Sequence, residues 1–118
     1  MKKDNQIYIY IVIIILVIIA VIFYIKNNND NNNGGVNEKL AKCLGEKSEL
    51  YVQLGCKFCK DQEDIFGNNT QYLNIIDCHF ETQKCVDAQI TGTPTWIING
   101  EKYPGVQSIE KLKQLTGC

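Results

Sequence analysis

The feature that most restricts the fold of this chain is an uninterrupted apolar segment near its N-terminus. Residues 7–25 contain no charged side chain. A helix of this length spans about 28 Å at ~1.5 Å per residue, close to the ~30 Å thickness of the hydrocarbon core of a bilayer. The small amount of chain that follows could not cover a helix that is apolar on every side. The segment therefore predicts one transmembrane helix at residues 7–25.

A cleaved signal peptide is the alternative interpretation of the same segment. Signal peptides have a shorter apolar core and end at a cleavage site made of small residues. This segment instead ends in Phe23, Tyr24 and Ile25, and Lys26 follows directly. An uncleaved anchor is therefore the better interpretation.

The charges beside the segment predict its orientation. Lys2, Lys3 and the α-amino group precede it, and only Lys26 follows directly. Because positive charge is retained on the cytoplasmic side, we expect a single-pass protein with residues 1–6 in the cytoplasm. The rest of the chain would then be exoplasmic, in the lumen of the endoplasmic reticulum, in a periplasm or in an equivalent compartment, or on a virion or host membrane if the chain is viral.

Beyond the anchor, the composition divides the chain into a linker and a domain. Residues 26–35 are rich in Asn and Gly and cannot form a core, which predicts a flexible linker. Residues 36–118 mix apolar and polar residues and suffice for one small domain. The net charge of the chain is -1, and it has no basic stripe with interleaved aromatic residues. The sequence therefore does not predict a nucleic acid among its partners.

The domain contains all six cysteines of the chain, namely Cys43, Cys56, Cys59, Cys78, Cys85 and Cys118. An even number of thiols in a small domain favours disulfides and an oxidising compartment. With Cys56 and Cys59 set aside as one pair, the other four allow three pairings. We favour Cys43 with Cys118 and Cys78 with Cys85, and the latter two could also serve as a second redox pair.

The pattern of apolar residues predicts an α/β domain. Helices are predicted at 37–45, 56–66, 81–89 and 108–115, with Asn37 and Ser108 as N-caps of the first and last. Strands are predicted at 50–54, 72–76, 95–98 and 102–103. The dipeptide Asn99-Gly100 between the last two strands favours a type I′ hairpin turn. A βαβ unit followed by a hairpin and a helix makes a small mixed sheet flanked by helices.

Cys56 and Cys59 form a C-x-x-C motif at the junction of a predicted strand and a predicted helix. The start of a helix offers unpaired backbone N–H groups and the positive end of the dipole, which favour a thiolate. The second cysteine follows one turn later, within reach of a disulfide. Cys56 is therefore the expected nucleophile, and Cys59 the resolving thiol that releases a mixed disulfide. Lys57 could favour the thiolate further, or it could point into solvent and do little.

Thr93-Pro94 is the second motif, and it lies just before the apolar strand 95–98. A cis-proline loop facing the C-x-x-C would present the Thr93 backbone to an extended substrate segment. An ordinary trans proline could instead simply open the strand. The residues alone favour the trans proline.

Together these motifs resemble the thioredoxin superfamily, in particular the thioredoxin-like domain that accompanies bacterial and plant homologues of vitamin K epoxide reductase. The resemblance covers nearly all of residues 36–118 and is densest over 90–108. It also rests on Lys42-Cys43-Leu44, Leu50-Tyr51, Asp61-Gln62, Phe66-Gly67, Cys78 and Cys85. The chain departs from the family in two places. Lys57-Phe58 stands where the family usually has Pro-His, and Leu50 stands where cytosolic thioredoxins carry a buried acid.

The resemblance implies a function as well as a thioredoxin-like fold. It implies that Cys56 and Cys59 are the redox pair, that Pro94 is cis, and that Thr93 and Pro94 dock the substrate. The implied activity is thiol–disulfide exchange with cysteine-containing client proteins, with oxidation or isomerisation favoured over reduction and with no cofactor. The implied redox partner is a membrane oxidase of the vitamin K epoxide reductase type, acting in trans.

Two other functions are weighed against this one. His79, beside Cys78, could join Cys56, Cys59 and Cys85 in a metal site. Zinc ribbons, however, normally pair two close-spaced motifs, and only one C-x-x-C is present, so we assign no metal ligand. A redox-inert tethered domain could also use the same fold only to bind a partner.

Overall fold

The computed structural model describes residues 2–27 and 36–118, which belong to two compact units. The first unit contains one helix, α1 (Lys2–Asn27), whose segment Lys3–Lys26 is long and apolar enough to cross a membrane. The helix extends past both ends of the predicted 7–25 span because no Pro or Gly interrupts it there. Residues 28–35, the larger part of the predicted linker, lie outside the described residues.

The second unit alternates helices and strands around one sheet. Its elements are α2 (Glu38–Lys47), β1 (Ser48–Val52), α3 (Lys57–Asp64), a 3-10 helix (Gly67–Tyr72), β2 (Ile75–Asp77), α4 (Thr82–Asp87), β3 (Thr95–Ile98), β4 (Glu101–Pro104) and α5 (Ile109–Thr116). The sheet order is β2-β1-β3-β4. The β1–β2 pair is parallel, and the β1–β3 and β3–β4 pairs are antiparallel. The predicted thioredoxin-like arrangement, a mixed sheet flanked by helices, is confirmed.

The core is divided between the two faces of the sheet because successive residues of a strand point to opposite sides. On one face, residues of β1 and β3 pack with α2, α3 and α5 in a cluster that includes Leu44, Trp96 and Leu112. On the other face, Tyr51 packs with Ile76 and Cys85. The helix that carries the C-x-x-C therefore lies on the larger side of the core.

Local chemistry places several boundaries where the sequence predicts them. The Asn37 side chain accepts a hydrogen bond from Leu40 N at 2.8 Å, and Ser108 Oγ accepts one from Lys111 N at 3.2 Å. Each cap satisfies a backbone N–H that the helix itself cannot pair. The β3–β4 hairpin also forms at Asn99-Gly100, where both residues have positive φ, 52° and 79°. These caps and this turn are confirmed.

The prediction that the first helix of the domain ends near Gly45 is wrong. Helix α2 continues to Lys47, and Gly45 lies against the backbone of the 3-10 helix. A Cβ atom at this position would collide with the carbonyl oxygen of Tyr72. The glycine therefore permits close packing of two elements instead of ending one of them.

The strands of the parallel pair are displaced from their predicted positions. Strand β1 starts at Ser48, directly after α2, where Ser48 Oγ donates to the Leu44 carbonyl at 2.5 Å. Strand β2 starts only at Ile75 because residues 67–72 form the 3-10 helix. In that helix Thr70 Oγ1 donates to the Gly67 carbonyl at 2.7 Å, a local bond that competes with an extended backbone.

Candidate active site

Cys56 occupies the N-cap of α3, one residue before the helix begins. Its backbone is extended, with φ -79° and ψ 115°, and its Sγ accepts a hydrogen bond from Cys59 N at 3.2 Å. The sulfur thus takes the place that a Ser or Asn oxygen holds at other helix starts. The backbone N–H and the positive end of the helix dipole both favour negative charge on this atom.

The Cys56–Cys59 pair is asymmetric in its exposure. The two residues form a disulfide with their Cα atoms 5.3 Å apart. Cys56 is half-buried, whereas Cys59 is 2% exposed. An approaching thiol can therefore reach Cys56 far more easily than Cys59, as expected for a nucleophile and a resolving cysteine.

The Thr93–Pro94 loop lies against the Cys56 sulfur. The peptide bond is cis, which agrees with the resemblance and corrects the trans proline that the residues alone favour. The Thr93 carbonyl oxygen is 3.6 Å from Cys56 Sγ, and the Thr93 hydroxyl donates to the same sulfur at 3.6 Å. Pro94 itself is buried.

Strand pairing explains why two motifs distant in sequence meet. Strand β1 leads into Cys56, and β3 begins directly after Pro94. The two strands are antiparallel neighbours, with Tyr51 opposite Thr95. The C-terminal end of β1 and the N-terminal end of β3 therefore lie side by side at the same end of the sheet.

Large apolar side chains near this site are exposed. Leu54 is 60% exposed, Phe58 61% and Val106 43%. Leu54 and Phe58 flank Cys56 in the chain, and Val106 follows Gly105, whose N–H donates to the Pro94 carbonyl at 2.8 Å. Exposed apolar groups at a site of this kind suit contact with an apolar polypeptide segment.

The Lys57 ammonium has other neighbours besides Cys56. Its Nζ lies 3.2 Å from Asp61 Oδ2, and its side chain is 81% exposed. The same nitrogen is 5.4 Å from the centre of the Phe58 ring. Because a neighbouring carboxylate and solvent both compensate this charge, the solvent-facing alternative describes Lys57 better.

An open cleft of about 360 Å³ borders the Cys56–Cys59 disulfide. It is lined by Gln53, Leu54, Gly55, Cys56, Lys57, Cys59, Lys60 and Glu63. Burial raises the pKa of the Glu63 carboxyl above its ordinary value, and the nearby ammonium of Lys60 opposes that shift. Glu63 was not among the predicted site residues, although its spacing of four from Cys59 puts both on one face of a helix.

Gln62 is a second residue of the site to which the sequence assigned no role beyond the family resemblance. It is fully buried, and its Oε1 accepts hydrogen bonds from Trp96 Nε1 at 3.0 Å and from Gln107 N at 2.6 Å. Its Nε2 donates to the Gln107 carbonyl at 3.1 Å. A polar residue three positions after Cys59, on the inward face of the helix, is the signal that could have identified it.

The remaining four cysteines form two further disulfides. Cys43 is joined to Cys118 with a Cα–Cα distance of 6.0 Å, and Cys78 to Cys85 with 5.6 Å. His79 is exposed, and its ring packs on that of Phe80 at 4.8 Å. The cysteine sulfurs of the metal hypothesis are all in disulfides, and within residues 2–27 and 36–118 no group of three His, Cys, Asp or Glu side chains could hold a metal ion.

The comparisons with known proteins identify a relative among disulfide-exchange enzymes. No protein-family model matches the chain. The thiol-disulfide oxidoreductase LTO1 of Arabidopsis thaliana is 32% identical over 79 residues, which cover 59% of this chain. The chain spans only 21% of that relative, about one fifth of its length.

Two solved structures resemble the chain more distantly. The NTD_N/C domain of alkylhydroperoxide reductase AhpF from Enterococcus faecalis has a TM-score of 0.43 and 18% identity, and the match covers 68% of this chain and 44% of that one. Oxidised thioredoxin from Plasmodium falciparum has a TM-score of 0.42 and 15% identity, covering 70% and 90%. The assignment of a thioredoxin-like fold rests on the sheet order and the cis-proline loop described above.

Proposed function

We propose that this chain is a membrane-anchored thiol–disulfide oxidoreductase that exchanges disulfides with cysteine-containing client proteins. The observation that carries the proposal is the approach of Cys56 Sγ to both side-chain and main-chain oxygens of Thr93, each at 3.6 Å. This contact places a disulfide at the start of a helix beside a cis-proline loop. The similarity to a plant thiol-disulfide oxidoreductase supports the same activity.

In the oxidising direction, the reaction starts with attack of a client thiolate on Cys56 Sγ. A bond forms between the client sulfur and Cys56, the Cys56–Cys59 bond breaks, and its electron pair goes to Cys59. A second client thiolate then attacks the client sulfur of this mixed disulfide, and Cys56 leaves as a thiolate. The client loses two electrons, and the Cys56–Cys59 pair gains them.

The position of Cys56 favours this direction over reduction. The helix start stabilises negative charge on its sulfur, and a more stable thiolate is a better leaving group. Reduced Cys56 and Cys59 are thereby stabilised relative to the disulfide, which makes the disulfide a stronger oxidant. Oxidation or isomerisation of clients is therefore the favoured activity.

The client is proposed to bind along the Thr93–Pro94 loop. Its backbone would lie beside Thr93, while the exposed side chains of Leu54, Phe58 and Val106 contact apolar residues that flank the client cysteine. Apolar contacts of this kind add affinity without demanding one sequence. This arrangement would hold the client sulfur in line with Cys56.

Membrane anchoring is proposed from the length and composition of α1, and its orientation from the flanking lysines. The redox domain would then face an exoplasmic compartment, where disulfides persist. We propose that a membrane oxidase of the vitamin K epoxide reductase type restores the Cys56–Cys59 disulfide in trans. Electrons would flow from client thiols through this pair to the oxidase.

Trapping of mixed disulfides tests the proposed activity. In the full-length Cys59→Ser chain, the Cys56 thiolate can attack a client disulfide, form a bond to one client sulfur and release the other as a thiolate. This mixed disulfide should accumulate, because the serine cannot attack the Cys56–client bond. The Cys56→Ser chain is the matched control and should accumulate none. Complexes are resolved on non-reducing gels and identified by mass spectrometry. If Cys59→Ser traps nothing while the folded chain still binds partners, the redox-inert tethered domain is the correct function.

A further inference from the structure

Cys59 needs a proton acceptor if the proposed function, on which this inference rests, is correct. The residue is 2% exposed, and burial disfavours the thiolate that must attack a mixed disulfide. Leu50, six positions before Cys56, is fully buried and has no titratable group. The acceptor for the Cys59 proton must therefore belong to another part of the site.

Glu63 is the one carboxylate among the residues that line the cleft beside Cys59. The two residues are four apart on α3, so their side chains lie on the same face of the helix. The cleft of about 360 Å³ is open to solvent, and water can connect the carboxylate with the thiol. Glu63 is itself partly buried, and its side chain lines the same cleft as Cys56 and Cys59.

The ammonium groups of the same cleft are engaged elsewhere. Lys57 is paired with Asp61, and Lys60 is paired with Asp64. Neither lysine can accept a proton at neutral pH while it carries its positive charge. Glu63 is therefore the cleft residue whose charge state suits the task.

We propose that Glu63 accepts, through solvent in this cleft, the proton that Cys59 gives up when it attacks a mixed disulfide on Cys56. The Cys59 thiolate forms a bond to Cys56 Sγ, and the bond between Cys56 and the bound partner sulfur breaks. Its electron pair leaves with that sulfur, which takes up a proton from solvent. In the reverse direction, protonated Glu63 returns its proton to Cys59 as Cys59 leaves the disulfide.

The surroundings of Glu63 disfavour its charged carboxylate and so favour uptake of a proton. Burial is the largest effect and raises the pKa of its carboxyl, and Asp64 and Asp77 raise it further, while Lys60 lowers it. Asp77 lies in β2, and Lys60 and Asp64 lie on α3 with Glu63. A base is most efficient when its pKa lies near the working pH, so the net upward shift supports this role.

Oxidation of the reduced full-length chain by oxidised glutathione, in detergent micelles, isolates the step in question. Cys56 first attacks glutathione disulfide, which forms the Cys56–glutathione adduct and releases one glutathione. Cys59 then closes the Cys56–Cys59 bond and releases the second glutathione, so two protein thiols reduce one glutathione disulfide. Acid quenching and mass spectrometry follow the adduct over time at several pH values.

Glu63→Gln should slow the closing step about tenfold or more, since general acid–base catalysis typically contributes on the order of 10²–10⁴-fold. The adduct should therefore accumulate, while its rate of formation stays the same. In the wild type the closing rate should fall as pH drops through the raised pKa of Glu63, and Glu63→Gln should lose this limb of the profile. Glu63→Asp, which keeps a carboxylate, should close faster than Glu63→Gln.

Glu110→Gln is the matched control, because it makes the same change at an exposed glutamate of α5 that does not line the cleft. It should close within about twofold of the wild type, as for other exposed charges. A Glu63→Gln chain that closes as fast as the wild type with the same pH profile would overturn the inference, and so would a Glu110→Gln chain that closes as slowly as Glu63→Gln.

The two proposals fail in different ways. Glutathione exchange needs no client protein, so it reports on Glu63 even if the trapping experiment with Cys59→Ser captures nothing. If Cys59→Ser traps no client but Glu63→Gln still slows the closing step, the proposed client oxidoreductase is wrong and the proton acceptor stands. If clients are trapped but Glu63→Gln closes as fast as the wild type, only the proposed proton acceptor is wrong.

Discussion

Gln62 accepts the indole N–H of Trp96 at 3.0 Å, and both side chains are buried. Gln62 belongs to the helix that carries Cys59, whereas Trp96 lies two residues after Pro94. The hydrogen bond therefore joins the helix of the redox pair to the strand that follows the cis-proline loop. A buried polar contact of this kind fixes the relative position of two elements more specifically than apolar packing does.

Replacement of Gln62 by leucine should destabilise the folded chain. The substitution leaves the Trp96 indole N–H and the Gln107 backbone N–H buried without an acceptor, and each such group costs roughly 1–3 kcal/mol. We expect a loss of about 2 kcal/mol or more in the free energy of unfolding, measured by urea denaturation in detergent. Gln107→Ala keeps the backbone partners of Gln62 and should cost only about 0.5 kcal/mol. Equal losses in the two variants would contradict this role of Gln62.

Lys57 should have little influence on the reactivity of Cys56. Because Asp61 and solvent already compensate its charge, Lys57→Ala should change the alkylation rate of reduced Cys56 by no more than about twofold. Asp61→Ala should have the larger effect and accelerate the reaction, since it leaves an unpaired ammonium beside Cys56. Iodoacetamide labelling at several pH values, followed by peptide mass spectrometry, measures both rates. A many-fold slower reaction of Lys57→Ala would show that its charge acts directly on the sulfur.

The disulfides outside the redox pair should contribute unequally to stability. Cys43–Cys118 closes a span of 75 residues and Cys78–Cys85 a span of 7. The loop-closure model gives about 4 kcal/mol for the first and about 2–3 kcal/mol for the second. We therefore expect the double serine variant at Cys43 and Cys118 to unfold at lower temperature than that at Cys78 and Cys85. The reverse order would mean that the short loop is tied to the core by more than chain entropy.

Glu63→Gln should be at least as stable as the wild type at pH 7. The folded-state pKa of Glu63 is raised, mainly by burial, so the folded state binds this proton more tightly than the unfolded state does. The stability that this group contributes is present below its ordinary pKa of 4.5 and is lost as pH rises through the raised value. Thermal unfolding of both chains should therefore differ at pH 7 and converge below pH 4.5. A less stable Glu63→Gln at neutral pH would argue for a structural role instead.

The parts of the fold that could be predicted depend on chemistry close in sequence. Asn37 and Ser108 each cap the helix that directly follows them, and Asn99-Gly100 forms its turn by itself. The C-x-x-C also lies at a helix start, as predicted, because the strand and the helix around it have their own patterns. None of these features needs a distant partner.

The features that the sequence did not reveal depend on contacts between distant residues. In the sequence Gly45 suggests the end of a helix, and only its close contact with the Tyr72 carbonyl explains why a glycine occupies this position. Gln62 is a polar residue of a type that usually lies at the surface, and only its hydrogen bonds to Trp96 and Gln107 in the folded domain explain its burial. The cis peptide bond at Pro94 was predicted only from the resemblance to the thioredoxin superfamily, because the local residues favour a trans proline.

The disulfide between Cys43 and Cys118 determines how the domain responds to tension. A pull exerted between residue 36 and Cys118 is transmitted through the first turns of α2 and then across the bridge, so it bypasses the sheet. The segment between the two cysteines, which are 75 positions apart, forms a closed loop that cannot be drawn out while the bond is intact. A tethered domain with this disulfide would keep the loop that carries Cys56 folded under mechanical load. Reduction of the Cys43–Cys118 bond would make the domain extensible.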